Sequence, residues 1–125
     1  MGIKTIGVVG SGLMGRGIAQ VAALNGYKVI LEDVAEKALE DAIKNISSEL
    51  EKGIARGKNT KEEKDMTLGN ITITTKLEDF APADYVIEAA PEILEIKQNV
   101  FAALDKICAP HAIFASNTTR KINNR

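Results

Sequence analysis

Apolar positions along this chain alternate between two rhythms. Ile3 to Val9 is a short, β-branched run, apolar on both faces, as a strand inside a parallel sheet should be. Leu13 to Asn25 then repeats at helical spacing, with Ile18, Val21, Ala22 and Leu24 as its expected inward stripe. Gly26 follows at the position where helices favour a glycine stop. Lys28 to Leu31 reads as a second strand ending at Glu32-Asp33, which completes a βαβ unit. From Ala35 to Ile54, Leu39, Ala42, Ile43, Ile46, Leu50 and Ile54 recur every three or four residues, opposite a charged face. That pattern predicts a long amphipathic helix. Gly57 and Asn59 break it, and Thr60 with Glu63 has the form of a capping box for a shorter second helix. The remaining pattern predicts strands over Ile71–Thr75, Tyr85–Ala89 and Ala112–Ser116, with a helix over Glu92–Ile107 before the last. The alternation predicts an α/β, doubly wound parallel sheet of order 3-2-1-4-5, with a helical hairpin inserted after strand two.

The join between the first strand and the first helix is Gly10-Ser11-Gly12-Leu13-Met14-Gly15. Gly-x-Gly-x-x-Gly alone is a weak signal, but here it lies between a strand and a helix. Asp33 stands eighteen residues after it, at the end of the second strand. That context is what a Rossmann-type dinucleotide site requires. Gly10 permits the tight turn, Gly12 lets backbone approach a pyrophosphate, and Gly15 lets helix and strand pack closely. The helix offers N–H groups and a positive dipole end to the phosphates. Leu13 and Met14, within the same loop, join the candidate cofactor contacts. Asp33 would accept from a ribose 2′-hydroxyl and repel a 2′-phosphate, so NAD is expected over NADP. A strand order that reverses between strands one and four places the ligand crevice there, with Ala90 on its far side.

Composition narrows the classes further. With 125 residues, a single domain with a real core is expected. Sixteen basic side chains stand against 17 acidic ones, scattered rather than clustered, which argues against nucleic acid or an anionic membrane as partner. One cysteine, Cys108, excludes an internal disulfide, and no apolar run approaches membrane-spanning length. Met1 leads almost directly into a strand, so no secretory leader is expected and the expected location is cytoplasmic. No cluster of metal ligands appears.

The glycine motif followed by Arg16-Gly17-Ile18-Ala19, the hairpin, Val86-Ile87-Glu88-Ala89-Ala90-Pro91-Glu92, Lys97 and Ala115-Ser116-Asn117-Thr118 together resemble the 3-hydroxyacyl-CoA dehydrogenases. The likeness is strongest to the bacterial 3-hydroxybutyryl-CoA enzymes and runs to about Thr119. It implies that Glu92 and Lys97 contact the nicotinamide-side ribose, and that Ser116, Asn117 and Thr119 border the nicotinamide and the reacting end of the substrate. It also implies that the hairpin grips coenzyme A, which makes Ser48, Lys52, Arg56 and Lys58 candidates. The expected partner of the complete enzyme is therefore an acyl-CoA.

Departures from the family pattern begin after Thr119. Where the family continues Asn-Thr-Ser-Ser, this chain reads Asn117-Thr118-Thr119-Arg120 and then a divergent 120–125 tail. The resemblance places the catalytic His, its orienting Glu and an all-helical domain beyond these positions. The expected organisation is thus an NAD-binding domain over 1–119 with no catalytic residue of its own. His111 precedes the fifth strand, at the end opposite the crevice, so it is not expected to act as the base. A regulatory NAD-binding module and a functionless truncated product are the alternative readings. In each, the fifth strand is expected to be an open edge that favours self-association.

Overall fold

In the computed structural model, residues 4–89 and 113–116 are described. Five parallel strands, β1 (Thr5–Val9), β2 (Lys28–Glu32), β3 (Ile71–Thr74), β4 (Tyr85–Glu88) and β5 (Ile113–Ser116), form one sheet of order β3-β2-β1-β4-β5. The expected order is the observed one. Three helices accompany them: α1 (Leu13–Leu24), α2 (Glu36–Ala55) and α3 (Lys61–Gly69). A 3-10 turn over Leu77–Phe80, absent from the sequence reading, leads into β4. The expected helix over Glu92–Ile107, Cys108 and His111 lie outside the described residues.

Alternate residues of each strand serve opposite faces. Val8, Val29 and Leu31 pack beneath α1 and α2, against Ala19, Ala22, Ala23, Leu39 and Ala42. Val9, Ile30 and Val86 face the other way, onto Phe80 and Ala83. Gly7 makes room for that aromatic ring, because a Cβ there would meet Phe80 at 3.3 Å. The fully buried Leu39, Ile46 and Leu50 lie at heptad-like steps on α2. Burying each contributes about 2 kcal/mol.

The stripe expected on α1 is shifted. Ala19, Ala22 and Ala23 turn inward with Gly15, while Val21 is 62% exposed. The close approach of Gly15 to the β1 end fixes the rotation of the helix, and the positions four, seven and eight residues on share its face. Small side chains fill that face, with Ile18 packing at its margin, while Val21 turns outward.

Both helix ends of the hairpin follow the sequence signals. Thr60 and Glu63 exchange reciprocal hydrogen bonds as a capping box at the start of α3. The Gly53 carbonyl accepts from the amides of Lys58 and Asn59 at 2.8 and 3.2 Å, and a Cβ on Gly53 would collide with Asn59 Oδ1. Lys64 pairs with Glu51 across the two helices, and Asn70 Nδ2 donates to the Ala23 carbonyl of α1 at 3.1 Å. After α1, Gly26 takes φ +95°, a left-handed conformation that ends the helix at low cost.

Candidate cofactor site

Strand order reverses at β1, whose neighbours are β2 and β4, and the crevice lies at their C-terminal ends. Backbone continues the ladder past the strands there. The Gly10 amide donates to the Glu32 carbonyl at 2.7 Å, Asp33 N to Thr74 O at 3.2 Å, and Ala89 N to Val9 O at 2.8 Å. Gly10, the first residue of the loop, is thereby fastened to the end of β2.

Each glycine of the loop has a distinct physical reason. Gly10 has φ +98°, which a side chain would make strained. A Cβ on Gly15 would lie 1.8 Å from the Gly10 carbonyl oxygen, so helix and turn touch through bare backbone. At Gly12 the opposite holds: nothing lies within 4 Å of a Cβ built there. No packing among the described residues needs that glycine, and the open space suits a ligand approaching the backbone.

Gly12 is also the N-cap of α1, with no side-chain cap and no acidic residue in the first turn. The first-turn amides thus have neither a capping oxygen nor a carboxylate to compete for an anion. Leu13 and Met14 open the helix, exposed at 77% and 54%, and with Ile6, Ile18, Val21 and Ile87 line an apolar groove of about 970 Å³.

Asp33 lies just beyond β2 and is half-buried. Its Oδ2 accepts from both the amide and the hydroxyl of Ser11, each at 2.9 Å, and its Oδ1 accepts from Ala35 N at 3.1 Å. Burial pushes its carboxyl up, but the amides of Ser11, Ala35 and Val34 and the Ser11 hydroxyl outweigh that, and the net shift is below the ordinary Asp value. The group is held as an anion. Its neighbour Glu32 is only 4% exposed, and burial, then the charge of Asp33, raise its pKa to about 7.

Glu32 and Glu88 both pair in register with Val9, one on each side, and Thr74 and Ser116 extend the same row. Two buried glutamates thus flank the strand end that carries the glycine loop. Neither Ser11 nor Glu32 was singled out by the sequence. A hydroxyl at the second motif position was the available signal for Ser11. A charged residue directly before Asp33 was the signal for Glu32.

The other expected site residues fall into two groups. Ser48 and Lys52 lie on α2 and Arg56 caps it, at four-residue steps that put them on one exposed face; Lys58 follows in the turn. Lys52 approaches Glu49 at 3.9 Å. Ser116 ends β5, opposite Glu88. Ala90, Glu92, Lys97, Asn117 and Thr119 lie outside the described residues. Among the described residues there is no group of three or more potential metal ligands, and no helix long and apolar enough to cross a membrane.

Residues 5–123 match the 3-hydroxyacyl-CoA dehydrogenase NAD-binding domain. The chain belongs to that family. A probable 3-hydroxybutyryl-CoA dehydrogenase of Bacillus subtilis is 43% identical over 119 residues, 95% of this chain and 42% of the relative. The 3-hydroxyadipyl-CoA dehydrogenase of Escherichia coli is also 43% identical, over 94% of this chain and 25% of its own length. A crystal structure of 3-hydroxybutyryl-CoA dehydrogenase from Escherichia coli superposes with a TM-score of 0.91 at 42% identity, covering 94% of this chain and 25% of the other. That of the (S)-3-hydroxybutyryl-CoA dehydrogenase of Ralstonia eutropha gives 0.88 at 35%, covering 92% and 41%. The chain therefore spans a quarter to about two-fifths of these relatives. Its fold is the Rossmann-type NAD-binding domain of 3-hydroxyacyl-CoA dehydrogenases, and its cofactor is NAD.

Proposed function

We propose that this chain is the cofactor-holding part of an oxidoreductase that interconverts 3-hydroxyacyl-CoA and 3-ketoacyl-CoA. The observation that carries the reading is the Asp33 carboxylate, fixed as an anion beside an uncapped helix and an open Gly12. In this reading Gly10, Gly12, Leu13, Met14 and Gly15 hold the pyrophosphate, and Asp33 takes the adenosine ribose. Ala90, Glu92, Lys97, Asn117 and Thr119 serve the nicotinamide side. When bound, NAD accepts the hydride from C3 of the hydroxyacyl group. The exposed face of Ser48, Lys52 and Arg56, with Lys58 beyond it, is the candidate grip for coenzyme A, and Ser116 and Asn117 border the acyl end.

The cofactor domain in this reading is 1–119. Oxidation at C3 also needs an acceptor for the hydroxyl proton, and among the described residues at the crevice no histidine stands beside the glycine loop. The 125 residues by themselves are therefore proposed to bind NAD without turnover. The side of β5 that pairs with no strand among the described residues is proposed to drive self-association, which sedimentation velocity over a range of concentrations would detect.

Titration of NADH into the purified chain tests the central claim. Saturable binding that weakens at least tenfold in Asp33→Ala supports it, and no binding to the folded chain removes it. Oxidation of NADH by acetoacetyl-CoA, in proportion to added chain, would overturn the claim of inactivity.

A further inference from the structure

We infer that Ser11 is a specificity-determining residue, setting the preference for NAD over NADP by holding the Asp33 carboxylate in place. This rests on the NAD-binding reading and extends it to the residue whose amide and hydroxyl hold Asp33. The Ser11 amide and hydroxyl converge on one oxygen, Asp33 Oδ2, both at 2.9 Å, while Ala35 N holds Oδ1 at 3.1 Å. Ser11 is 3% exposed, although its neighbours Gly12 and Leu13 are exposed, so its side chain is directed into the protein and away from the solvent-facing side of the loop.

Two donors on one oxygen and one on the other fix both the position and the tilt of the carboxylate. A carboxylate free to rotate could swing away from a 2′-phosphate and lose part of its repulsion. A clamped one cannot, and it is already oriented for the 2′-hydroxyl of NAD before the cofactor arrives. The serine hydroxyl is the removable part of the clamp. The amides of Ser11 and Ala35 remain whatever the side chain.

The test compares NADH and NADPH titrations, read by the emission of the cofactor itself because the chain has no tryptophan. The proteins are wild type, Ser11→Ala, Ser11→Thr, Asp33→Ala and the Ser11→Ala/Asp33→Ala double variant. Ser11→Ala is expected to weaken NADH about fivefold, the effect of one hydrogen bond, without weakening NADPH. Its preference should therefore contract by at least that factor. Ser11→Thr, which keeps the hydroxyl, is expected to retain the preference, and in the Asp33→Ala background removal of the hydroxyl should change nothing. An unaltered preference in Ser11→Ala, or an equal loss without Asp33, would overturn the inference.

A second measurement needs no cofactor. Carboxyl-carbon NMR of the unliganded chain should show Asp33 titrating higher in Ser11→Ala than in wild type. An identical titration would overturn the clamp. If wild type fails to bind NADH while Asp33 still responds to Ser11→Ala, the NAD-binding reading has failed, and the preference claim falls with it.

Discussion

The two ends of the sheet each carry an aspartate that accepts backbone amides, and they use it differently. At the N-terminal end, Asp84 Oδ2 accepts from Lys4 N and Thr5 N, both at 3.0 Å, while its own amide donates to Thr5 O at 2.8 Å. Those bonds fasten the start of β1 to the start of β4. At the C-terminal end, Asp33 ties a loop to a strand end beside an uncapped helix. One carboxylate closes the sheet, and the other is kept charged at the crevice where we propose that NAD binds. The lesson is that the same chemical device is structural or functional according to what lies beyond it.

The sharpest way to probe this contrast uses two glycines only three residues apart. Gly15→Ala puts a Cβ 1.8 Å from the Gly10 carbonyl oxygen, a clash with backbone that no rotamer relieves. The expected loss is at least about 3 kcal/mol of stability, measured by urea unfolding. Gly12→Ala meets nothing within 4 Å and has φ −69°, which alanine adopts without strain. Because Gly12 is the N-cap of α1, where alanine is less favoured than glycine, its stability should fall by no more than about 1 kcal/mol. Its NADH affinity should nevertheless fall about 50-fold, roughly 2 kcal/mol, because the Cβ fills the space a pyrophosphate needs. If both variants lost stability alike, the division of the loop into a packing half and a ligand half would be wrong.

The aspartate pair gives the next test. Asp84→Ala removes two charge-assisted bonds to backbone and should cost about 2 kcal/mol of stability while leaving the NADH affinity of the folded fraction within about twofold. Asp33→Ala removes three hydrogen bonds and should cost a similar amount of stability, but it should also impair NADH binding at least tenfold. Calorimetric titration beside urea unfolding separates the two. An Asp84→Ala protein that folds normally but no longer binds NADH would erase the distinction between the ends.

Much of this was readable along the chain because it depends on local rules. Strand order followed from alternating strand and helix signals, and the capping box at Thr60 and Glu63 was visible as a spacing. What failed to show depends on three-dimensional closeness. Val21 was expected inward on α1 but is exposed, because the contact between Gly15 and Gly10 turns the Ala19, Ala22 and Ala23 side of the helix toward the sheet. The 3-10 turn at Leu77–Phe80 has too few residues for a periodicity to register. Ser11 and Asp33 are 22 positions apart, and no pattern announces that a motif's filler residue will hold the acid that follows. Glu32 was read only as the residue before Asp33, yet it is the last residue of β2 and 4% exposed.

Glu32 yields the smallest effect and the one with the clearest pH signature. Burial first, and the charge of Asp33 second, raise its pKa from 4.5 to about 7. Between those values the folded chain holds a proton that the unfolded chain releases. Stability therefore falls as pH rises from about 4.5 to about 7 and is level above that, with a total loss of about 1–3 kcal/mol. Asp33 works in the opposite sense and another window: its lowered pKa adds stability that is present above pH 4 and lost only in more acidic solution. Glu32→Gln keeps the shape but cannot ionise, so its stability should match wild type near pH 4.5 and exceed it by about 1–2 kcal/mol at pH 8. Urea unfolding across that range measures the difference directly. A wild-type profile with no slope between pH 4.5 and 7 would mean that Glu32 ionises in the fold as easily as out of it. The site end of the sheet would then carry no electrostatic strain that the Asp84 end lacks.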